Sequence, residues 1–340
     1  MISETKPQRI ITFGEILMRL SPPDKRLLGQ SYQLDFFFGG TEANVAMALA
    51  NWNEKVDHVS AVPDDFLGES SLKELNRLGV GNLYTQKNYH PLGLYFMEEG
   101  ASLRSSQVIY NRLYSSFANI AWEDLKWEEI LKDANIFYWT GITPGISENT
   151  YQGLKRALAT AANLEIKITV DPTYRKNLWK YGRDSQVVLK EFISYSNVFI
   201  GGTNEINEIL ETNFDNGKDG FVKASKELMK IYPSIKKVFD KVRVSYGASI
   251  QRIYSRYWNG KRYFSTIEIE INPVIDRIGT GDAFVAGIIY TMDRYDEQSA
   301  LNFANASCAL KHTIVGDVNL ARKEEIWKIA NGQIEGRIKR

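Results

Sequence analysis

Short apolar runs and stretches of helical spacing take turns along this chain. Residues 9–13 (RIITF) form an apolar run stopped by Gly14, as expected of a buried strand. Residues 15–20 and 33–38 also have strand character, with a Pro22-Pro23 turn region and no helical stretch between them. The pair Gly39-Gly40 then opens a small-residue helical segment whose expected N-cap is Thr41. From there strands are predicted at 56–62, 135–140, 165–170 and 197–200. Helices are predicted at 67–78, 122–131, 148–162, 186–194, 204–211 and 221–230. Residues 92–97 and 107–111 again read as strands without a helix between them. Strands at 237–245, 251–257 and 261–264 follow, with Asn259-Gly260 as a hairpin turn. The last helices begin after Gly281, at 298 and near 323.

Strand-helix alternation predicts an α/β fold with a mostly parallel sheet covered on both faces. Two helix-free strand pairs, near 15–38 and 92–112, interrupt it. They are expected to join into one small sheet that projects from the body as a lid, excluding water when it closes. No linker, low-complexity tract or repeat divides the chain, so residues 1–340 are read as one domain carrying that lid.

Charge removes several function classes. Forty-two Lys and Arg face forty-one Asp and Glu, which argues against nucleic acid or an anionic membrane as partner. The single Cys308 excludes a disulfide framework and a multi-cysteine metal site, and His58, His90 and His312 are too scattered to suggest zinc. No stretch approaches a membrane span, and residues 1–8 are polar, unlike a signal peptide. A cytoplasmic protein is the expectation.

The chemistry concentrates in residues 276–284, DRIGTGDAF. Gly279 and Gly281 flank Thr280, Asp282 follows, and Phe284, Ile288, Ile289 and Met292 continue with helical spacing. A glycine turn opening a helix offers unpaired N–H groups and positive dipole charge to an anion. A carboxylate beside such a nest suits phosphoryl transfer: the amides hold phosphoryl charge and Asp282 takes the proton of an attacking hydroxyl. The competing reading is a plain capped helix. The common nucleotide signatures are absent: Gly260-Lys261 is followed by Arg262, and no G-x-G-x-x-G follows the first strand.

Gly39-Gly40 with Asn44 at the head of an early helix, together with Gly-Thr-Gly-Asp near the C-terminus, resemble the two signatures of the ribokinase-like family of sugar kinases. FGGTEANVA, GASLRSSQVIYNR, TGITP, DPTYRKNLW and LKHTIVGDVNL look most like the 2-keto-3-deoxygluconate kinases (2-dehydro-3-deoxygluconokinases) of that family, in order over nearly the whole chain. The resemblance implies a three-layer α/β/α fold with a small β-sheet lid, and ATP and Mg²⁺ as cofactors. It implies Asp282 as base and Gly279, Thr280 and Gly281 as anion hole. Gly40, Asn44 and Asp317 would bind sugar hydroxyls, and Tyr95, Tyr110, Arg112 and Arg175 would complete the sugar-acid site. Thr173, Ser245, Gly247 and Asn305 would lie on the nucleotide side with Gly279 and Gly281. A homodimer or higher homo-oligomer through the lid is also implied.

An arginine fork matches a sugar carboxylate, although each arginine could instead form a surface salt bridge and each tyrosine could pack the lid. Three positions depart from the family pattern. Gly202 stands where an Asn precedes the metal-organising Glu, leaving Glu205 as the indirect metal candidate. Thr173 replaces a frequent Asn. Ser245-Tyr246-Gly247-Ala248 replaces a lysine-containing strand end. The expected reaction is phosphorylation of the primary hydroxyl of 2-keto-3-deoxygluconate. The alternatives are a fructokinase or other ketose kinase of the same family, and a non-catalytic sugar sensor on a kinase fold.

Overall fold

The computed structural model describes residues 7–175 and 177–333. The chain begins with β1 (Arg9–Phe13), β2 (Leu17–Ser21), β3 (Asp35–Gly39) and α1 (Thr41–Asn51). Next come β4 (Lys55–Val59), β5 (Ala61–Pro63), α2 (Phe66–Arg77), β6 (Gln86–Asn88), β7 (Gly93–Glu98) and β8 (Gln107–Asn111). A run of α3 (Trp127–Leu131), β9 (Ile136–Thr140), α4 (Glu148–Asn163), β10 (Lys167–Asp171), α5 (Ser185–Ile193), β11 (Val198–Ile200), α6 (Thr203–Leu210) and α7 (Lys218–Ile231) follows. The remainder is β12 (Lys237–Ser245), β13 (Gln251–Trp258), β14 (Tyr263–Ser265), β15 (Ile269–Ile271), α8 (Thr280–Thr291), α9 (Glu297–Lys311) and α10 (Lys323–Ala330).

The main sheet runs β14-β13-β12-β11-β10-β9-β1-β4, with β15 also on β13. From β4 to β12 neighbours are parallel; β13 turns the edge antiparallel. Side chains alternate between two cores, as the strand period requires. Ile10, Ile136 and Tyr138 pack with α1, α8, α9 and α10. Ile11, Phe13, Phe137 and Trp139 pack with the helices α3 to α7. Helices therefore cover both faces, which is the three-layer arrangement the alternation predicts. Among the described residues no helix is long and apolar enough to cross a membrane.

The two helix-free strand pairs join into a second sheet, β3-β2-β7-β8. Its inner strands β2 and β7 are parallel, and register places Arg19 beside Tyr95 and Tyr95 beside Tyr110.

Three local expectations are corrected. The helix expected at 122–131 is a 3-10 turn at Trp122–Asp124 followed by the short α3. The Trp127 indole donates to Trp122 O at 2.9 Å, taking a carbonyl that a continuous helix would use. The strand at 56–62 divides at Ser60, and β5 leaves the main sheet to pair with β6. The cap of α1 is Gly40, with φ of 138°, not Thr41, which is already helical. A Cβ at Gly40 would lie 2.0 Å from Glu15 O, so only glycine fits there.

Candidate active site

In the main sheet β1 and β9 are neighbours whose following connections lead in opposite directions. A crevice opens at the carboxyl ends of such strands. Into it point the heads of α1 and α8. Thr140 Oγ1 and Thr143 Oγ1, at and just after the end of β9, donate to Glu42 Oε1 of α1 at 2.6 and 2.7 Å. The crevice is thereby closed at its base by a buried carboxyl whose pKa burial pushes up, the threonine hydrogen bonds opposing.

Asp282 lies in the first turn of α8, whose cap Gly279 has φ of 74°. A Cβ at Gly279 would fall 1.7 Å from Asp317 O, so the turn demands glycine. The first amides of α8 have no intrahelical acceptor and face the crevice as an anion nest. Asn44 Nδ2 donates to Asp282 Oδ2 at 2.7 Å. Burial pushes the Asp282 carboxyl up to about 7; the Asn44 hydrogen bond opposes this, Asp171 reinforces it, and Lys241 opposes it again. A carboxylate so tuned exchanges protons near neutrality, as a general base must.

The seven residues expected on the sugar side, Gly40, Asn44, Tyr95, Tyr110, Arg112, Arg175 and Asp317, all line one cavity of about 290 Å³ with Asp282 and the glycine turn. Their side chains are not equally free. Arg112 is buried in an ion pair with Glu15, whose own carboxyl is pushed up by burial and pulled down by Arg112. The Tyr95 hydroxyl donates to Asp317 Oδ2, while Asp317 Oδ1 accepts from Arg19 Nη1 at 3.1 Å. Arg175 is exposed, four residues past the end of β10 rather than on it, and carries no ion pair among the described residues.

Ser245 and Gly247 line a second cavity of about 470 Å³. It shares the wall Arg277–Ile278 with the first, immediately before the glycine turn. Thr173 lines the first cavity and also a smaller one beside Gly281. Asn305 reaches neither: it is buried on α9, its Oδ1 accepting from Ser255 Oγ at 2.8 Å, and it serves the packing of α9 on β13.

The sequence profile of the pfkB family carbohydrate kinases matches residues 7–322. This chain belongs to that family. It is 28% identical to the 2-dehydro-3-deoxygalactonokinase of Haloferax volcanii over 95% of this chain and 96% of that one. It is 23% identical to the 2-dehydro-3-deoxygluconokinase of Bacillus subtilis, with 95% of each covered. Among solved structures, the 2-dehydro-3-deoxygluconokinase of Thermotoga maritima superposes with a TM-score of 0.91 at 33% identity, covering 96% of this chain and 99% of that one. The chain is thus a sugar kinase with the ribokinase-like fold.

Several residues of this kinase's site escaped sequence reasoning. Arg19 of β2 is fully buried and donates to Asp276 Oδ2 at 2.7 Å, to Asp317, and to Glu99 Oε1 at 2.6 Å. Asp276 in turn accepts from the amides of Ile278 and Gly316, both at 3.0 Å, holding the approach to the glycine turn. Lys241 of β12 lines the first cavity, and burial lowers its pKa. A smaller cavity beside Gly281 is lined by Asp171, Glu205, Asp240 and Lys241. Of these acids, Asp240 is paired with Arg256 at 2.6 Å, and Glu205 Oε2 accepts from Gly202 N at 2.9 Å. Among the described residues no three His, Cys, Asp or Glu side chains form a metal cage. What remains, one oxygen of Glu205 and Asp171, whose Oδ1 accepts from Thr173 N at 2.8 Å, fits an ion held mainly by phosphate and water.

Proposed function

We propose that this kinase transfers the γ-phosphate of ATP to the primary hydroxyl of 2-keto-3-deoxygluconate, giving the 6-phospho sugar acid and ADP. The observation that carries this reading is the placement of Asp282 between an anion nest and a cavity bearing Arg112 and Arg175.

Asp282 accepts the proton of the primary hydroxyl as its oxygen forms a bond to the γ-phosphorus. The bond from that phosphorus to the β-γ bridging oxygen breaks, ADP leaves, and Asp282 later returns its proton to water. Asn44 holds the reacting carboxylate in one orientation. The first-turn amides of α8 absorb charge on the phosphoryl oxygens. Arg175, which carries no ion pair among the described residues, meets the sugar carboxylate with a planar donor fork, and Tyr110 and Arg112 flank it. Mg²⁺ would be held by Asp171 and Glu205 through water and would neutralise nucleotide phosphate charge. The sheet β3-β2-β7-β8 acts as the lid over the sugar.

The likeness to a 2-dehydro-3-deoxygalactonokinase supports a second substrate, the epimeric sugar acid. ADP release measured with 2-keto-3-deoxygluconate, 2-keto-3-deoxygalactonate and fructose tests all three. Turnover of the acid sugars well above fructose is expected; preference for fructose would overturn the acid-sugar assignment. We further propose that two copies pair through the lid, where Phe36 and Ile109 are exposed, and that the enzyme works in the cytoplasm, where ATP is supplied. Sedimentation of the protein at working concentration as a monomer would overturn the pairing.

A further inference from the structure

The second cavity holds an unusual charge arrangement. Arg104, Arg243 and Arg277 line it with Ser102, Ser105, Ser106 and Ser245, and no Asp or Glu among the described residues does. None of the three arginines has a carboxylate partner among the described residues. Arg243 Nη2 donates to Thr280 Oγ1 of the glycine turn at 2.9 Å, while its Nε is buried without a partner. Arg104 gives Nη2 to Lys25 O, while its Nη1 is buried without a partner. Arg277 is half-buried and close enough to Arg243 for the two charges to disfavour each other. Gathering unpaired guanidinium groups around one cavity costs free energy through repulsion and unmet donors. An anion filling the cavity reverses both terms.

Three separate elements supply these groups: the β7–β8 connection, β12, and the loop before α8. One compact anion meets one such fork well, whereas an extended polyanion can meet all three. The β7–β8 connection is seated for the task. Ala248 N donates to Ser102 O at 2.8 Å and Ser102 N donates to Ser249 Oγ at 3.0 Å, fastening it to the turn after β12. At Gly247, φ is 106° and a Cβ would lie 2.8 Å from Ser102 O, so the connection rests directly on this turn. The same small sheet that carries Tyr95 and Tyr110 to the sugar therefore also roofs the neighbouring cavity.

We propose that Arg104, Arg243 and Arg277 bind the polyphosphate chain of the nucleotide, with Arg104 clamping it from the small sheet. This rests on the kinase reading above for the identity of the nucleotide, but not for the existence of the anion site. Calorimetry without sugar, using the wild-type chain and the variants Arg104→Gln and Arg104→Lys, tests it with inorganic tripolyphosphate, ADP and adenosine as probes. For Arg104→Gln, tripolyphosphate and ADP should each bind about tenfold more weakly and adenosine unchanged. Arg104→Lys, which keeps the charge, should recover part of the loss, and the affinity of the wild type should fall more steeply with salt than that of Arg104→Gln. Equal tripolyphosphate and ADP affinities in wild type and Arg104→Gln would overturn the proposal. A loss equal for adenosine and ADP would overturn it too, since that marks a disturbed loop rather than a missing phosphate contact. Tripolyphosphate binding that depends on Arg104 in a protein without phosphotransfer would leave the anion site standing and refute only the kinase chemistry.

Discussion

Asn44 and Asp282 lie 238 residues apart in the chain, yet the amide of one donates to the carboxylate of the other at 2.7 Å. The bond joins the heads of α1 and α8 across the mouth of the crevice. It also favours the ionised form of a carboxyl that burial pushes up to about 7. Removing the donor removes a stabiliser of the charged form, so the pKa rises further. Asn44→Ala should therefore shift the acidic limb of the kcat/KM profile to higher pH, besides lowering kcat. An unshifted limb in a pH-rate comparison would count against Asp282 as the titrating base. Asp282→Asn should lower kcat by about three orders of magnitude or more while nucleotide still binds.

Gly279→Ala tests the anion nest. The new methyl meets Asp317 O at 1.7 Å on a backbone with φ of 74°, so the turn must open. Loss of kcat by about a hundredfold is expected, the scale seen when one oxyanion donor is displaced. Circular dichroism should show an intact fold, and wild-type turnover in a folded variant would contradict the role.

Arg112 and Arg175, which line the cavity with Asp282, should behave differently. Arg175 has no ion-pair partner among the described residues, so Arg175→Ala should raise KM for an acid sugar far more than for a neutral one, with unchanged melting temperature. Arg112→Ala also strands the buried Glu15. Breaking a buried pair costs about 3–5 kcal/mol, so this variant should melt measurably earlier as well. Parallel kinetics and thermal melts on both variants separate recognition from stability.

Acid sensitivity should come from two buried histidines that take no part in the proposed chemistry. Burial lowers the pKa of both His58 and His312 to about 3 from an ordinary value of 6.5. Between those values the unfolded chain binds protons that the folded chain does not, so stability falls as pH drops below about 6.5. Above that value the contribution is fully retained. The effect is on the order of a few kcal/mol per histidine. His58→Asn should flatten the dependence of melting temperature on pH between 6 and 4, although it forfeits the 2.7 Å contact with Thr12 Oγ1.

The layers of the fold and the catalytic turn were legible because they rest on local signals. Hydrophobic period marks each strand and helix, and Gly279 and Asp282 sit in a recognisable order. Arg19 was not legible. On a two-residue period it looks like an outward-facing residue of a surface strand, and its burial follows only from Asp276 and Asp317, more than 250 positions later. Lys241 and Glu42 are hidden for the same reason, since their environments are made by strands distant in sequence. Asn305 shows the converse: an amide expected beside a nucleotide turns its oxygen inward to Ser255. The split at 122–131 depends on an indole competing for a carbonyl, which no hydrophobic pattern records.

The small sheet has a consequence for watching this protein fold. Its inner pair, β2 and β7, joins residues 17–20 to residues 93–96, so it closes only after α1, β4 and α2 have been threaded between them. Such non-local pairing is slow to form. All seven tryptophans lie outside it, at 52, 122, 127, 139, 179, 258 and 327. Intrinsic tryptophan emission therefore reports the main body and stays silent about this sheet. Refolding followed by that colourless signal should reach its plateau before enzymatic turnover returns, with tyrosines 95 and 110 as the natural places for a reporter of the final step.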